Sequence, residues 1–363
     1  MKSPTHPVPS GDRLMGRLLF AVLQEIAGEA NVSLASEFRS YSGMPDNLKL
    51  KENRSEAHKV ADATFGRWQQ RGWLPDVWFS YHPYYKSPDW LGPIAKARFG
   101  CPIVTAEASF SSKRAEDEWS EWHHEHAHGL AQADCHLYMK DRDRAGLLAL
   151  PAHEEQLVHL PPFIDIRPFT AVSAGDRTRT APIRLITVAM MRKDVKLKSY
   201  QFLAEALLGL QDLDWTLDIV GDGAAHRDVQ AAFTNELSSR IHWHGQVAPE
   251  KIPVVLANAD VFVWPGFGEA YGLAYLEAQA CGLPVVAQNC AGVPEVVIQG
   301  QTGLLTREGE LGAYQSALRR IISDQQLVTQ MGQAARTFVH TERSIKTAEQ
   351  TIRTTIDRAI GRV

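Results

Sequence analysis

The stretch that decides the fold lies at residues 261–277, which read VFVWPGFGEAYGLAYLE. An apolar run at 261–264 leads into a glycine-rich loop, and a helical period follows over about 272–281. Ligands of an open α/β sheet bind beyond the carboxyl ends of its strands, where the free N–H groups of the next helix attract phosphate. We therefore predict an anion-binding helix start whose N–H groups come from Gly272, Leu273 and Ala274.

Short β-branched runs alternate with helical periods around this stretch. In the second half, strands are predicted at 183–189, 216–220, 241–244, 261–264 and 284–287, and helices at 199–210, from about 224, at 250–258 and at 272–281. In the first half, helices are predicted at 13–28 and 119–133, and strands at 32–35, 77–81 and 103–106. This alternation predicts an α/β fold with parallel sheets covered on both faces.

The chain of 363 residues is longer than one compact core usually serves, so we predict two domains. The N-terminal domain is placed at 1–165, a proline-rich linker at 166–182, a second domain at 183–345 and a C-terminal helix at 346–363. No apolar strand precedes the loop-like residues 7–12, so the first domain lacks its expected first strand. Either the start of the chain is misassigned or another segment fills that position.

Composition excludes several classes of protein. A formal net charge of −4 provides no basic field for nucleic acid. Four scattered cysteines favour neither a disulfide framework nor a zinc site, and the absence of a run of about 20 apolar residues argues against a membrane span. We expect a cytoplasmic protein, and peripheral membrane contact stays open.

Two carboxylates flank the predicted helix start. Glu269 precedes it, and Glu277 lies eight residues on, roughly 12 Å away if all is helical. They are too far apart to share one proton transfer, but they could hold both hydroxyl-rich ends of a ligand with phosphates between them. A nucleotide sugar has this layout. The alternative is a solvent-facing Glu277 and a Glu269 that only complements the helix dipole.

These motifs resemble the GT-B retaining glycosyltransferases of family 4. The resemblance rests on Glu269, Gly272 and Glu277, and on ACGLPVVA at 280–287, GVPE at 292–295, VGDG at 220–223 and LPPFID at 160–165. It implies two Rossmann-like doubly wound domains facing each other across a cleft. It also implies transfer of a hexose-like group from a nucleoside diphosphate sugar to a hydroxyl acceptor, with retention of configuration and without a metal or other cofactor. The acceptor is unknown and could be a saccharide, a lipid-linked intermediate or a small metabolite.

The resemblance also implies roles for single residues. Glu277 would bind the donor ribose, Glu269 would lie near the sugar hydroxyls, and the helix start would hold the diphosphate. A departing diphosphate develops negative charge that cations must offset, which implies Arg192 and then Lys196 or Lys198. We place Glu269, Arg192 and Lys196 at the catalytic centre and Lys198 among the donor-binding residues. Relatives usually read Gly-Arg and then Lys-Gly here, whereas this chain reads AMMRKDVKLKS over 189–199.

Candidates in the first domain are fewer. Gly11, in a short loop that opens a helix, resembles the glycine loop that meets donor phosphates, and it is also consistent with an ordinary turn. His82 and Tyr84 follow a predicted strand and suit an acceptor site, although a loop packed by aromatic residues explains them equally well. Glu107 stands where many family members carry a histidine, and it becomes a candidate for binding the acceptor hydroxyl.

Three further interpretations are weighed against this one. The histidines at 123, 124, 126 and 128 have the spacing of a helix face but lack a metal-binding motif, so no metal site is predicted. The residues GDGAAH at 221–226 partly match a dinucleotide fingerprint, which would favour an oxidoreductase, although His226 replaces the third glycine. A catalytically silent relative that serves as a partner subunit is the other alternative.

Overall fold

The structure, a computed structural model, describes residues 3–5, 10–150, 154–170, 182–234, 236–270 and 272–362. It divides into two compact units: Met1–Pro161 with Lys346–Val363, and Pro162–Ile345. Residues 171–181, which make up most of the predicted linker, lie outside the described residues. Residues 7–9 of the predicted N-terminal loop lie outside them as well. The C-terminal helix belongs to the first unit.

The first unit is a four-stranded parallel sheet with helices. Its elements are α1 (Gly11–Ala27), α2 (Asn47–Gln70), β1 (Trp78–Tyr81), α3 (Leu91–Phe99), β2 (Ile103–Ala106), α4 (Ser120–Leu130), β3 (Cys135–Tyr138), α5 (Asp141–Leu147) and β4 (Leu157–His159). The strands lie in the order β1-β2-β3-β4. Since all strands are parallel, their carboxyl ends share one edge, and the residues that follow each strand come together there.

Two predictions for this unit need correction. The predicted strand at 32–35 is wrong: these residues form no strand, and their side chains are exposed or only partly buried. The predictions also missed β3 and β4, which are only four and three residues long. No strand precedes α1 within the described residues 3–5 and 10.

The second unit contains a six-stranded parallel sheet. Its elements are α6 (Arg167–Thr170), β5 (Ile183–Val188), α7 (Val195–Leu208), β6 (Trp215–Val220), α8 (His226–Ala232), β7 (Ile241–Gly245), α9 (Ile252–Ala257), β8 (Val261–Val263), α10 (Leu273–Ala280), β9 (Val285–Asn289), β10 (Gly303–Arg307), α11 (Leu311–Ile322) and α12 (Gln325–Glu342). Helix α13 (Ile345–Ala359) follows and lies almost wholly in the first unit. The strand order is β10-β9-β8-β5-β6-β7.

This order places a topological switch point in the second sheet. From β5 the chain builds outward through β6 and β7, and then returns to the other side of β5 with β8, β9 and β10. Loops that leave β5 and β8 therefore diverge at neighbouring carboxyl ends, which is where ligands bind in open α/β sheets. The predicted donor residues of the second unit all lie in these two loops or in the helices that follow them, whereas Gly11 lies at the start of α1 in the first unit.

Buried aromatic side chains hold this arrangement. Tyr200 on α7 lies against Trp264 with ring centroids 4.8 Å apart, and its hydroxyl donates to the Ala189 carbonyl at 2.8 Å. The Tyr275 hydroxyl donates to the Trp264 carbonyl at 3.0 Å. The backbone after β5 and after β8 is thus tied to two helices of the core. Among the described helices, none is long and apolar enough to cross a membrane.

Candidate functional site

Two glycines determine the path of the backbone after β5. Gly221 and Gly223 adopt φ of 144° and 151°, and a Cβ at either position would overlap the carbonyl oxygen of Ala189 or Met191. The Met191 N–H donates to the Asp222 carbonyl at 3.0 Å. The glycines thus serve close packing against residues 189–191, directly before Arg192, and this explains the resemblance to a dinucleotide fingerprint as a packing feature.

A cation and a carboxylate meet beside the switch point. The Lys196 ammonium, in the first turn of α7, forms an ion pair with Glu269 Oε2, and both side chains are largely buried. The Trp264 indole N–H donates to the same oxygen at 3.4 Å, and the ammonium lies 5.5 Å from the centre of the Trp264 ring. The residues that follow β5 and β8 are therefore joined by a charge pair in a partly dry environment.

The loop after β8 is anchored to α7 by a serine. Ser199 Oγ accepts from the Phe267 N–H at 3.2 Å and donates to the Val195 carbonyl at 2.8 Å. Asp194 caps the helix by accepting from the Lys196 N–H at 2.8 Å. The position of Lys196 relative to Glu269 thus follows from backbone contacts on both sides.

The other two predicted cations are exposed and do not pair with Glu269. The Lys198 ammonium lies 3.9 Å from the centre of the Phe267 ring, and its side chain is exposed. Arg192 is exposed as well, and its guanidinium contacts Met190 Sδ at 3.4 Å. Of the two competing lysines, Lys196 is the one that the structure brings to Glu269.

The start of α10 has the geometry of an anion site. Gly272 adopts φ of 60° as the residue before the helix, and a Cβ there would clash with the Tyr275 ring and with Cγ of Glu269. The first N–H groups of a helix have no acceptor within it, so those of Leu273 and Ala274 face the loop. Glycine is therefore required where the chain turns into this helix.

Glu277 lies one turn from the end of α10. Its side chain is only partly exposed, and its carboxylate has no hydrogen-bond or ion-pair partner within the described part of the chain. Burial raises the pKa of this carboxyl to about 7. A half-buried carboxylate with a raised pKa and no partner among the described residues is a candidate for binding a ligand.

The first unit gathers a second group of candidates at the carboxyl edge of its sheet. Ser10 caps α1 by accepting from the Arg13 N–H at 3.2 Å, and a Cβ on Gly11 would meet nothing within 4 Å. His82 directly follows β1, and Tyr84 lies 5.2 Å from it between ring centroids. Burial raises the pKa of Tyr84 to about 12.

Glu107 directly follows β2 and is paired at both oxygens. Its Oε1 accepts from the Lys140 ammonium at 2.9 Å, and its Oε2 lies 3.3 Å from His82 Nδ1. Lys140 also lies 3.2 Å from Asp143 Oδ2. Burial alone would lower the pKa of His82, but the Glu107 carboxylate outweighs it and the pKa is raised.

The sequence analysis missed Lys140 and Asp143 because it missed β3. The alternation of CHLY at 135–138, just before a lysine and a helix start, is the signal that could have located them. The structure brings both residues to the predicted acceptor candidates.

The clustered histidines of α4 divide between core and surface. His123 and His126 are buried, and His126 Nε2 lies 2.8 Å from the Ser109 carbonyl oxygen, whereas His124 and His128 are exposed. Burial lowers the pKa of His126 to about 4. Within the described ranges, no three histidine, cysteine or acidic side chains form a metal-binding group.

Comparison with known proteins assigns the second unit. Residues 182–324 match the family model of glycosyl transferases group 1. The second unit is therefore similar to a group 1 glycosyl transferase domain over these residues. The match covers the switch point, the Lys196–Glu269 pair and all of α10.

Relatives and structures extend this likeness. A GDP-mannose-dependent alpha-(1-6)-phosphatidylinositol monomannoside mannosyltransferase of Mycolicibacterium smegmatis is 32% identical over 193 residues, 50% of each chain. A D-inositol 3-phosphate glycosyltransferase of Corynebacterium efficiens is 26% identical over 285 residues, 70% of this chain and 65% of the relative. This chain thus matches between half and two thirds of the length of these relatives.

A solved glycosyltransferase of Rickettsia africae has a TM-score of 0.73 at 16% identity and covers 98% of this chain and 97% of its own. The predicted fold class is confirmed: this is a GT-B chain with two parallel-sheet, Rossmann-like units.

Proposed function

We propose that this protein is a glycosyltransferase that moves a sugar from a nucleoside diphosphate sugar to a hydroxyl acceptor with retention of configuration. The second unit binds the donor and the first unit handles the acceptor. The observation that carries the proposal is the unpaired carboxylate of Glu277, on the helix that begins beyond β8 at the switch point. Ribose hydroxyls are the donors that such a carboxylate would accept from.

The start of α10 supports a diphosphate between the nucleoside and the sugar. Gly272 leaves room for close approach, and the first N–H groups of the helix point toward negative charge. Lys196 and Arg192 supply the cations that stabilise the departing diphosphate, without a resident metal or cofactor. Lys198, exposed beside Phe267, is assigned to donor binding rather than to the reacting atoms.

Glu269 combines two properties that suit a group near the transferred sugar. Its Oε2 forms an ion pair with the Lys196 ammonium and accepts from the neighbouring indole N–H, so this oxygen is fixed in place. The other oxygen accepts from sugar hydroxyls. Since the roles of Glu269 and Glu277 are binding roles, the two-carboxylate chemistry of glycoside hydrolases is not invoked.

In the first unit we assign His82, Tyr84 and Glu107 to the acceptor, and Gly11 to the donor phosphates. Three of these lie at the carboxyl edge of the sheet. His82 and Tyr84 offer imidazole and hydroxyl groups for a polyhydroxylated acceptor, and the buried Glu107 carboxylate lies behind His82. The relatives named above act on inositol-containing acceptors, which makes inositol phosphates and their lipid-linked forms the first acceptors to try.

The experiment begins with binding. The thermal stability of the chain is measured against UDP, GDP, ADP and their sugar conjugates, because a ligand at 100 times its Kd stabilises by about 2.7 kcal/mol. A selective shift identifies the base. Donor turnover is then followed with and without inositol-type acceptors, with and without EDTA, and the anomeric configuration of the product is read by NMR.

Each outcome bears on the proposal. An axial-to-axial or equatorial-to-equatorial transfer that survives EDTA supports it in full. An inverted product would overturn retention, and loss of turnover in EDTA would overturn the metal-free assignment. Binding without turnover of any acceptor or water would favour a catalytically silent partner subunit.

A further inference from the structure

Three neighbouring strands of the first sheet each lead into one charged side chain. His82 follows β1, Glu107 follows β2, and Lys140 lies two residues after β3. The Lys140 ammonium contacts one oxygen of Glu107 at 2.9 Å, and the other oxygen lies 3.3 Å from His82 Nδ1. The three groups form a line across the carboxyl edge of the sheet.

The backbone is strained at two of these three residues. His82 and Glu107 have φ of 55° and 54°, in the left-handed region that non-glycine residues rarely adopt. Backbone strain of this kind clusters at functional sites. The hydrogen bonds between neighbouring strands nevertheless continue through both residues. The His82 N–H donates to the Ala106 carbonyl at 2.7 Å, and the Glu107 N–H donates to the Leu137 carbonyl at 2.8 Å.

The three side chains differ in how much of their surface is exposed. The Glu107 side chain is 1% exposed, that of Lys140 19% and that of His82 22%. The carboxylate is thus the buried member, and the imidazole and the ammonium on either side of it are exposed to a similar extent. Asp143 holds the ammonium from its other side at 3.2 Å, so Lys140 is fixed between two carboxylates.

We propose that Lys140 is a positioning residue for the acceptor: it fixes the Glu107 carboxylate, which holds His82 Nδ1 so that His82 Nε2 accepts a hydrogen bond from the acceptor hydroxyl. This inference rests on the proposed function and adds Lys140, with Asp143 behind it, to the acceptor side. Lys140 touches no substrate. It acts through Glu107, as the third member of a catalytic relay orients the second.

The charges around His82 determine the direction in which each substitution should shift its pKa. Glu107, Asp12 and Asp143 carry negative charge, Lys140 carries positive charge, and His126 is a buried neutral imidazole nearby. Lys140→Met leaves three carboxylates facing the imidazole, so the pKa of His82 should rise, by roughly one unit. Glu107→Gln removes the nearest carboxylate and leaves the ammonium, so the pKa of His82 should fall below its ordinary value.

The first measurement is an NMR titration of the full chain with labelled histidine. The His82 signal is assigned by its loss in His82→Gln, and its pKa is followed in wild type, Lys140→Met and Glu107→Gln. Lys96→Met is the matched control, because Lys96 forms a 2.8 Å ion pair with Asp134 in the same unit, where Asp134 precedes β3 instead of following it. This control should leave the pKa of His82 unchanged.

The second measurement separates positioning from stability. Lys140→Met should lower kcat/KM for the acceptor roughly tenfold at pH values below the pKa of His82. The acidic limb of the pH profile of kcat/KM should therefore move to higher pH. Donor binding and donor hydrolysis should keep their wild-type values, which also shows that the variant folds. Lys140→Arg, which keeps the charge, should restore the limb.

Two results would overturn the inference: a His82 pKa that does not rise in Lys140→Met, or a raised pKa with unchanged acceptor kinetics. Failure of the proposed function is distinguishable from both. In that case the wild type itself neither binds nor hydrolyses any nucleotide sugar, while the imidazole titration still reports the coupling between Lys140 and His82.

Discussion

The pH dependence of donor binding tests the assignment of Glu277 most directly. Burial raises the pKa of this carboxyl from 4.5 to about 7, so it is about half protonated at neutral pH. A carboxylate that accepts hydrogen bonds from ribose hydroxyls binds in its ionised form, and bound donor therefore lowers the pKa. Donor affinity must fall as the pH drops through 7.

The size of the pH effect on donor affinity follows from the linkage between proton binding and donor binding. Each pH unit below the pKa of the free site raises Kd up to tenfold, or about 1.4 kcal/mol. Between pH 8 and pH 6 the expected weakening is about tenfold. Glu277→Gln removes the charge-assisted hydrogen bond, which costs about 1.5 to 3 kcal/mol of binding at pH 8, and it should abolish the pH dependence.

The same substitution should have the opposite effect on stability. Because the pKa of Glu277 is higher in the folded state than in the unfolded state, this group's contribution is favourable below pH 4.5 and is lost as the pH rises through 7. The shift corresponds to up to roughly 3 kcal/mol at pH 8. Glu277→Gln should therefore bind donor more weakly and yet resist urea better at pH 8.

Calorimetric titration with the sugar conjugate at pH 6, 7 and 8 measures the binding, and urea unfolding measures the stability. The conjugate is preferred because the terminal phosphate of a free nucleoside diphosphate itself titrates at about pH 6. Glu205→Gln, at an exposed position on α7, makes the same charge change as a control. Less than a twofold change in Kd between pH 6 and 8 would remove Glu277 from the donor site.

Three further predictions concern the two lysines, a tightly packed glycine and a buried histidine. Lys196→Met should reduce donor hydrolysis at least tenfold, and Lys198→Met should raise KM for the donor with a smaller effect on kcat; equal losses in both would contradict their separate roles. Gly221→Ala should lower the urea midpoint strongly, because its methyl would overlap a carbonyl oxygen, whereas Gly312→Ala in open space on α11 should not. His126, whose pKa is lowered to about 4, should make unfolding easier as the pH falls from 6.5 to 4, and a His126→Gln variant whose acid unfolding matches the wild type would refute this.

Most of the architecture of the second unit was predictable from the sequence, although β10 was missed. Long apolar strands, glycine loops and helical periods recur there, and most predicted strands lie within a residue or two of the observed ones. The helix start after Gly272 was predictable for the same reason, because a strand, a glycine loop and a helix are local features. In the first unit, β3 has a histidine within a run of four residues, and β4 has only three residues that are exposed or partly buried. Neither gives a clear apolar pattern, so both were missed, and residues 32–35 were assigned wrongly.

Only the tertiary structure decided which side chains meet. Lys196 and Lys198 are equivalent in a linear pattern, and it is the backbone tie through Ser199 that brings Lys196 to Glu269 and leaves Lys198 outside. Glu107 and Lys140 are 33 residues apart, and they pair because the carboxyl ends of parallel neighbours share one edge. Pairing across strands depends on strand order, which the local periodicity of a sequence does not encode.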